Sequence, residues 1–380
     1  MPRCYNLTAS VAIPAEAHNL RTLYGVKRAP CDTQMRTIID EVAPSSLRPV
    51  FKKVFTSLQR GKVLESYQYL DAYYLLSVDG TGLFSSNTVH CAQCCTKTNR
   101  AGKITYYHQL LAAVIVHPDQ REVIPLAPEP ITRQDGATKN DCERNAAKRL
   151  LPAVRREHPH LKLIVVEDAL AANAPHIRLL QALNMRFILG VKPGDHTALF
   201  KQVEERVAQH QASEHTVTDE DKVTHRFRWV NGVSLNQQHP ELKVNFLEYW
   251  EEDDGQVRHF TWITDFTLST DNVFAIMKGG RSRWKVENET FNTLKNQGYH
   301  FEHNFGHGHQ HLATNLLPAD DVGVCHRPDP GALLRLLSAS PARPAHQDLP
   351  VGEDARRLHA PLYPRLGAIL YDSHRRTDDL

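Results

Sequence analysis

Three apolar runs set the terms for any fold of this chain. Residues 72–82 ("AYYLLSVDGTG"), 161–170 ("LKLIVVEDAL") and 186–195 ("RFILGVKPGD") are short, rich in Leu, Ile and Val, and each is cut off by acidic or glycine turn residues. Short apolar runs bounded by turn signals read as strands buried on both faces. The stretch "ITYYHQLLAAVIVHPDQREVIPL" reads as two more strands joined at His117–Gln120. Residues 140–158 are helical as far as Pro152, which is expected to kink or end the helix, and residues 173–183 form a short helix. The order strand, strand, strand, helix, strand, helix, strand predicts an α/β fold. Its mixed sheet is antiparallel in the early hairpin, parallel across the helical crossovers, and flanked by helices. Asp79 and Asp168 each fall just past the C-terminal end of a predicted strand, where open α/β sheets place their sites.

The flanking regions read differently. Asp32 suits an N-cap for a helix through Met35, Ile38 and Ile39, and Ser46 for a second helix with Val50, Phe51, Val54, Phe55 and Leu58 on one face. The other side of that second helix carries Arg48, Lys52 and Lys53, a pattern open to two readings, a solvated face or a DNA-contacting module. Residues 197–212 are helical, and 223–266 alternate as strands with a hairpin turn at Asp254-Gly255. A helix follows over 281–297. The chain therefore divides into an N-terminal helical region (1–70) open to the DNA-binding reading, the first part of an α/β core (71–196), a β-rich insertion (197–270), completion of the core (271–316) and an irregular tail (317–380).

Bulk properties narrow the function classes. With a net charge of +2 across 380 residues, the whole chain does not announce a polyanion partner, so local clusters matter more. There is no run of about 20 apolar residues, so no membrane span is expected. The opening "MPRCYNLTAS" lacks a signal-peptide pattern, and the seven cysteines are irregularly spaced. These features read as a cytosolic protein with reduced thiols.

Three carboxylates stand out: Asp79 and Asp168 at strand ends, and Glu287 on the 281–297 helix one turn after Arg283. Converging carboxylates suit hard cations such as Mg²⁺, and a pair of such ions serves phosphoryl transfer. Taken singly, each aspartate also reads as a solvent-facing turn residue.

"SVDGTG", "VVEDAL" and "RWKVENETFNTLK", in this order and with this predicted topology, resemble the DDE transposases of bacterial insertion sequences, in the branch with a Tyr-Arg-Glu-Lys helix signature. The resemblance covers roughly residues 30–316. It implies a ribonuclease H-like mixed five-stranded sheet flanked by helices, with a β-rich insertion between the second Asp and the Glu. It implies that Asp79, Asp168 and Glu287 are the catalytic residues, holding two Mg²⁺ (or Mn²⁺) ions, and that Arg283 holds DNA phosphate. The implied partners are double-stranded DNA, as terminal inverted repeats and target, and a second copy in a synaptic homodimer. The implied location is the bacterial cytoplasm, on the nucleoid. The signature departs here in two places: its tyrosine position falls on Gly280 and its lysine position on Leu294, with Lys295 one residue later. That offset rotates a helical side chain by about 100°. Glu289 rivals Glu287 but lacks an arginine four residues back, and Trp284 reads as a core residue.

Other features admit more than one reading. Lys192, in the strand exit "VKPGDH", is a further candidate DNA contact or a solvated lysine. Cys91, Cys94 and Cys95, with His90 and His108 nearby, include a C-x₂-C spacing that suits two zinc ligands. No second close pair follows, so thiols without metal are the expectation and zinc the alternative. "GYHFEHNFGHGHQHL" (298–312) holds five histidines and reads as a DNA-facing or packing loop. From about Pro318 the chain turns proline-rich, which reads as a disordered tail. A sharper hypothesis is a frameshift: codons permitting Pro318–Pro330, shifted by one nucleotide, can encode an apolar helix-like segment, and the gene's nucleotide sequence decides it.

Overall fold

The computed structural model describes residues 22, 31–131, 142–296 and 306–315. The expected loose N-terminal segment (1–30) and the proline-rich tail, with its frameshift hypothesis, lie outside these residues, save Thr22. The chain runs α1 (Asp32–Glu41), α2 (Arg48–Arg60), β1 (Tyr74–Ser86), β2 (Cys95–Thr98), β3 (Ile104–His117), β4 (Gln120–Pro125) and β5 (Glu129–Ile131). It continues through α3 (Glu143–Glu157), β6 (Leu163–Glu167), α4 (Ala174–Ala182), β7 (Arg186–Gly190) and α5 (Thr197–Ala208). Then come β8 (Ser213–Thr218), β9 (Thr224–Asn236), β10 (His239–Asp253), β11 (Gln256–Thr264), α6 (Val273–Arg281) and α7 (Asn292–Asn296). A 3₁₀ turn (Ser282–Trp284) and a π-helical turn (Val286–Phe291) join α6 to α7.

The mixed α/β architecture is as expected. β1 pairs antiparallel with β3, while β1–β6 and β6–β7 are parallel. The sheet is larger than five strands. β11 adds antiparallel to β7, and β10, β9 and β8 follow in turn, so one eleven-stranded sheet runs through the β-rich region. The cause is the edge of β7: its unpaired N–H and C=O groups are a template for another strand, and β11 satisfies them. The turn at Asp254-Gly255 falls where the sequence places it, with both residues at positive φ (44° and 77°), the conformation a two-residue hairpin needs.

Period-2 alternation sorts the central strands onto two cores. Leu76, Val78, Ala113, Ile115, Leu163 and Val165 face α2, α3, α4 and α5. Leu75, Ala112, Val114, Ile164 and Val166 face α6 and the helix that carries Glu287. Helix α3 continues through Pro152 to Glu157. α1 begins at Asp32 with Cys31 at its N-cap, and a 3₁₀ turn (Pro44–Leu47) leads into α2 without the expected Ser46 cap. Arg48 forms a fork on Glu157 (2.6 and 3.1 Å), so this one member of the basic face docks α2 onto α3. Among the described residues no helix is long and apolar enough to cross a membrane.

Candidate active site

The site begins with a mismatch between neighbouring strands. Asp79 lies inside β1, opposite Ala112 of β3, and not past a strand end as expected. On its other side, however, the pairing of β1 with β6 stops at Ser77–Val166. Beyond that point β6 no longer pairs with β1, which the β1 sequence alone did not signal. Asp168 follows directly after the last residue of β6, Glu167, so extending the register by two residues brings it level with Asp79. Asp168 is exposed, and its carboxylate accepts the N–H of Leu170.

The pleat puts Asp79 on the same face as Leu75 and Ser77, toward the helix that closes that core. That helix delivers Arg283 and Glu287. The Arg283 guanidinium donates to Asp79 at 2.9 Å and to Glu287 at 3.3 Å. Ser77 pins the backbone beneath by donating to the Arg283 carbonyl at 3.1 Å. Burial raises the Asp79 carboxyl to about 7; Arg283 opposes the rise and the Glu287 carboxyl adds to it.

A carboxylate that sequence reasoning missed lies on the other face of β1, within electrostatic reach of Asp168. Glu143, in the first turn of α3, lies against Gly80: a Cβ built on Gly80 would meet its Oε1 at 2.2 Å. Burial raises the Glu143 carboxyl, and the charges of Asp168 and Glu167 push it further the same way. The glycine after Asp79 was the one available signal, since it leaves room for a side chain from another element. Glu167 itself is turned to the opposite core and bonds His176 at 2.5 Å.

The turn that carries Glu287, Val286–Phe291, is π-helical. Its i→i+5 bonding places one more residue in the turn than an α-helix holds. Farther along, Leu294 is 1% exposed in the core while Lys295 is half-buried. Glu289 is directed elsewhere, to Arg121 at 3.5 Å. Asp168, Lys192, Arg283 and Trp284 line one cavity with Trp262 and His259. Trp284 is 53% exposed there and is not the core residue expected, because the 3₁₀ turn rotates it off the buried face.

The cysteine cluster resolves away from the sequence reading. Cys95 is fully buried, with its thiol on the Ile131 carbonyl at 3.6 Å, and His90 stacks on Tyr106. Cys91 and Cys94 instead meet His108 and His307.

No protein-family model and no curated protein matches the chain. Among solved structures it is similar to the Drosophila P element transposase strand transfer complex, with 15% identity over 56% of this chain and 52% of that chain, at a TM-score of 0.17. The match thus spans about half the length of that chain, and so low a TM-score carries no argument about this one.

Proposed function

We propose that this chain is a DNA transposase of the DDE class, with a ribonuclease H-like core, that cleaves element ends and joins them to target DNA. The observation that carries the reading is the convergence of Asp79 and Glu287, from the first strand and one of the last helices, on the single guanidinium of Arg283. A fold has no stability reason to bring two acids together inside a partly buried cleft and lift one carboxyl to about 7. A site made to hold cations has that reason. The donors are hard carboxylate oxygens, which suit Mg²⁺ or Mn²⁺, and a proton on Asp79 stands in for cation charge.

Asp79, Asp168 and Glu287 would hold two such ions, with Glu143 supporting Asp168. When bound, the ions supply activation of the attacking oxygen and stabilisation of the leaving one. Arg283, relieved of its carboxylate partners, turns to a DNA phosphate, for which its fork geometry is suited. Lys192 adds backbone charge to the same cavity, and Lys295 adds it on the Glu287 side. Trp284 offers an exposed ring on which an unpaired base near the cleavage point can stack. Two copies acting on two DNA ends complete the synaptic assembly.

The test is Mg²⁺-dependent cleavage and strand transfer on DNA carrying the inverted repeats that flank the gene, with the Asp79→Ala protein in parallel. Cleaved and joined products from the unmutated chain alone support the proposal. Cleavage without joining indicates a ribonuclease H-like nuclease instead. Retained DNA with no cleavage by either protein indicates a decayed, non-catalytic DNA-binding remnant.

A further inference from the structure

Four soft-metal donors meet where three remote segments cross. Cys91 and Cys94 sit in the turn between β1 and β2, closed by the Cys94 N–H on the Cys91 carbonyl (3.2 Å), while the Cys91 N–H donates to Cys94 Sγ (3.4 Å). His108 is on β3 and only 4% exposed. His307 arrives from the segment beyond the Glu287 helix, its ring edge-on to Phe84. The ligand atoms of all four lie within 4.8 Å of one another.

The distances discriminate. Bonds of about 2.3 Å to sulfur and about 2.05 Å to nitrogen at tetrahedral angles set S···S near 3.8 Å and S···N near 3.6 Å. Cys91 Sγ and Cys94 Sγ are 3.7 Å apart, and His108 Nε2 is 3.4 and 3.3 Å from them. His307 Nδ1 is 3.6 Å from Cys94 Sγ. The sulfurs are far beyond the disulfide length of about 2.05 Å. Thiols are weak donors and acceptors, so hydrogen bonds alone give little return for burying two of them with two imidazoles. The other nitrogen of His307, Nε2, is buried without a partner among the described residues, so the ring is positioned by the cluster and by Phe84.

We propose that Cys91, Cys94, His108 and His307 bind one Zn²⁺ in a closed, structural site. Two thiolates and two imidazoles select Zn²⁺ over Mg²⁺ or Ca²⁺, and four protein ligands leave no open position for catalysis. The ion's task is to fasten. Just past His307, the Asp40 carboxylate of α1 accepts the N–H groups of His309, Gln310, His311 and Leu312. Asn315 donates to the Ile39 and Val42 carbonyls. Zinc would therefore tie β3 to the segment that follows the Glu287 helix, and through it to α1. The inference stands apart from the reading of the carboxylate site, because a catalytically dead chain would still hold the ion.

The experiment uses the full chain without an added histidine tag. Elemental analysis is expected to find close to one zinc per chain, and Co²⁺ in its place is expected to give the visible bands of tetrahedral cobalt with thiolate charge transfer. Cys94→Ser and His307→Ala should lose the metal, whereas Cys95→Ser should keep it. Should the variants fail to fold, alkylation of the unmutated chain decides: zinc should protect Cys91 and Cys94 until a chelator is added, while exposed Cys31 and Cys142 react equally with and without it. A zinc-saturated chain that retains no metal overturns the proposal. So does retention by Cys94→Ser, or alkylation of Cys91 and Cys94 that ignores zinc.

Discussion

Two polar clusters hang on the same strand pair, and they are opposites. Near the middle of β1, Asp79 faces out from its pairing with Ala112; farther along, beyond the register shift between Gly82 and Phe84, His108 sits opposite Phe84. The first cluster gathers hard oxygens around Arg283 and is open, with the Glu287 side chain 49% exposed. The second gathers sulfur and nitrogen in a closed knot, with Cys94 and His108 buried and Cys91 and His307 half-buried. In the first, burial raises the Asp79 carboxyl, Arg283 opposes the rise and the Glu287 carboxyl adds to it. In the second, the hydrogen bond from Cys94 holds the Cys91 sulfur toward thiolate, helped by the imidazoles, and pushes Cys94 the other way. An open, electrostatically frustrated cluster suits chemistry on an incoming polyanion, and a closed one suits fastening.

The sharpest way to break this contrast is to damage each cluster and read both outputs. Glu287→Gln is expected to lower cleavage by about 10³-fold or more while leaving the thermal unfolding midpoint near that of the unmutated chain. Cys94→Ser is expected to lower that midpoint by well over the shift of about 2 °C that roughly 1 kcal/mol gives in a chain of this size. A stable Cys94→Ser protein, or a Glu287→Gln protein that cuts normally, would erase the distinction.

Glu143→Gln tests how far the open cluster extends. If Glu143 supports Asp168, cleavage should fall about 10–100-fold, with half-saturation moved to higher Mg²⁺. Unchanged metal dependence would return Glu143 to a packing role against Gly80.

Proton linkage offers a subtler probe. The folded-state Asp79 carboxyl, at about 7, lies above its ordinary value of 3.8, so between these values the folded chain binds the extra proton. Metal-free stability should therefore fall as pH rises from about 4 to 7 and stay level outside that window, by roughly 1–3 kcal/mol in all. Glu143, also raised, adds in the same direction. Asp79→Asn should flatten the slope, and so should Mg²⁺. Chemical denaturation across pH, with and without Mg²⁺, measures it; a slope that survives Asp79→Asn assigns the effect elsewhere. The smallest change is expected from Lys192→Ala: a few-fold loss of DNA affinity, equal on all sequences, with the salt slope reduced by about one. A sequence-dependent loss would make Lys192 a base reader.

Much of the architecture was legible because burial writes itself locally. The apolar runs became β1, β6 and β7, the hairpin at His117–Gln120 formed, and Asp254-Gly255 turned as its residues demand. The Arg283–Glu287 contact was legible as well, since a four-residue helical spacing is a short-range signal, whereas the glycine turn read after Asp79 did not form, because β1 runs on through Gly80 to Ser86. The surroundings of the acids were not legible. Asp79 lies inside a strand because β3 pairs past it while β6 does not, and pairing length is no property of either strand alone. The β-rich region joined the central sheet because β7 offered an edge.

The chain by itself determined most of the strand segments, the turns at His117–Gln120 and Asp254-Gly255, and the helical spacing of Arg283 and Glu287, because those are matters of periodicity and backbone preference over a few residues. Only the tertiary structure decided that Glu143 comes within reach of Asp168, that Trp284 faces the cavity, and that His307 in place of Cys95 completes the cysteine cluster. Each of these depends on strand register and helix docking between distant segments, where a shift of one residue turns a side chain to the other face.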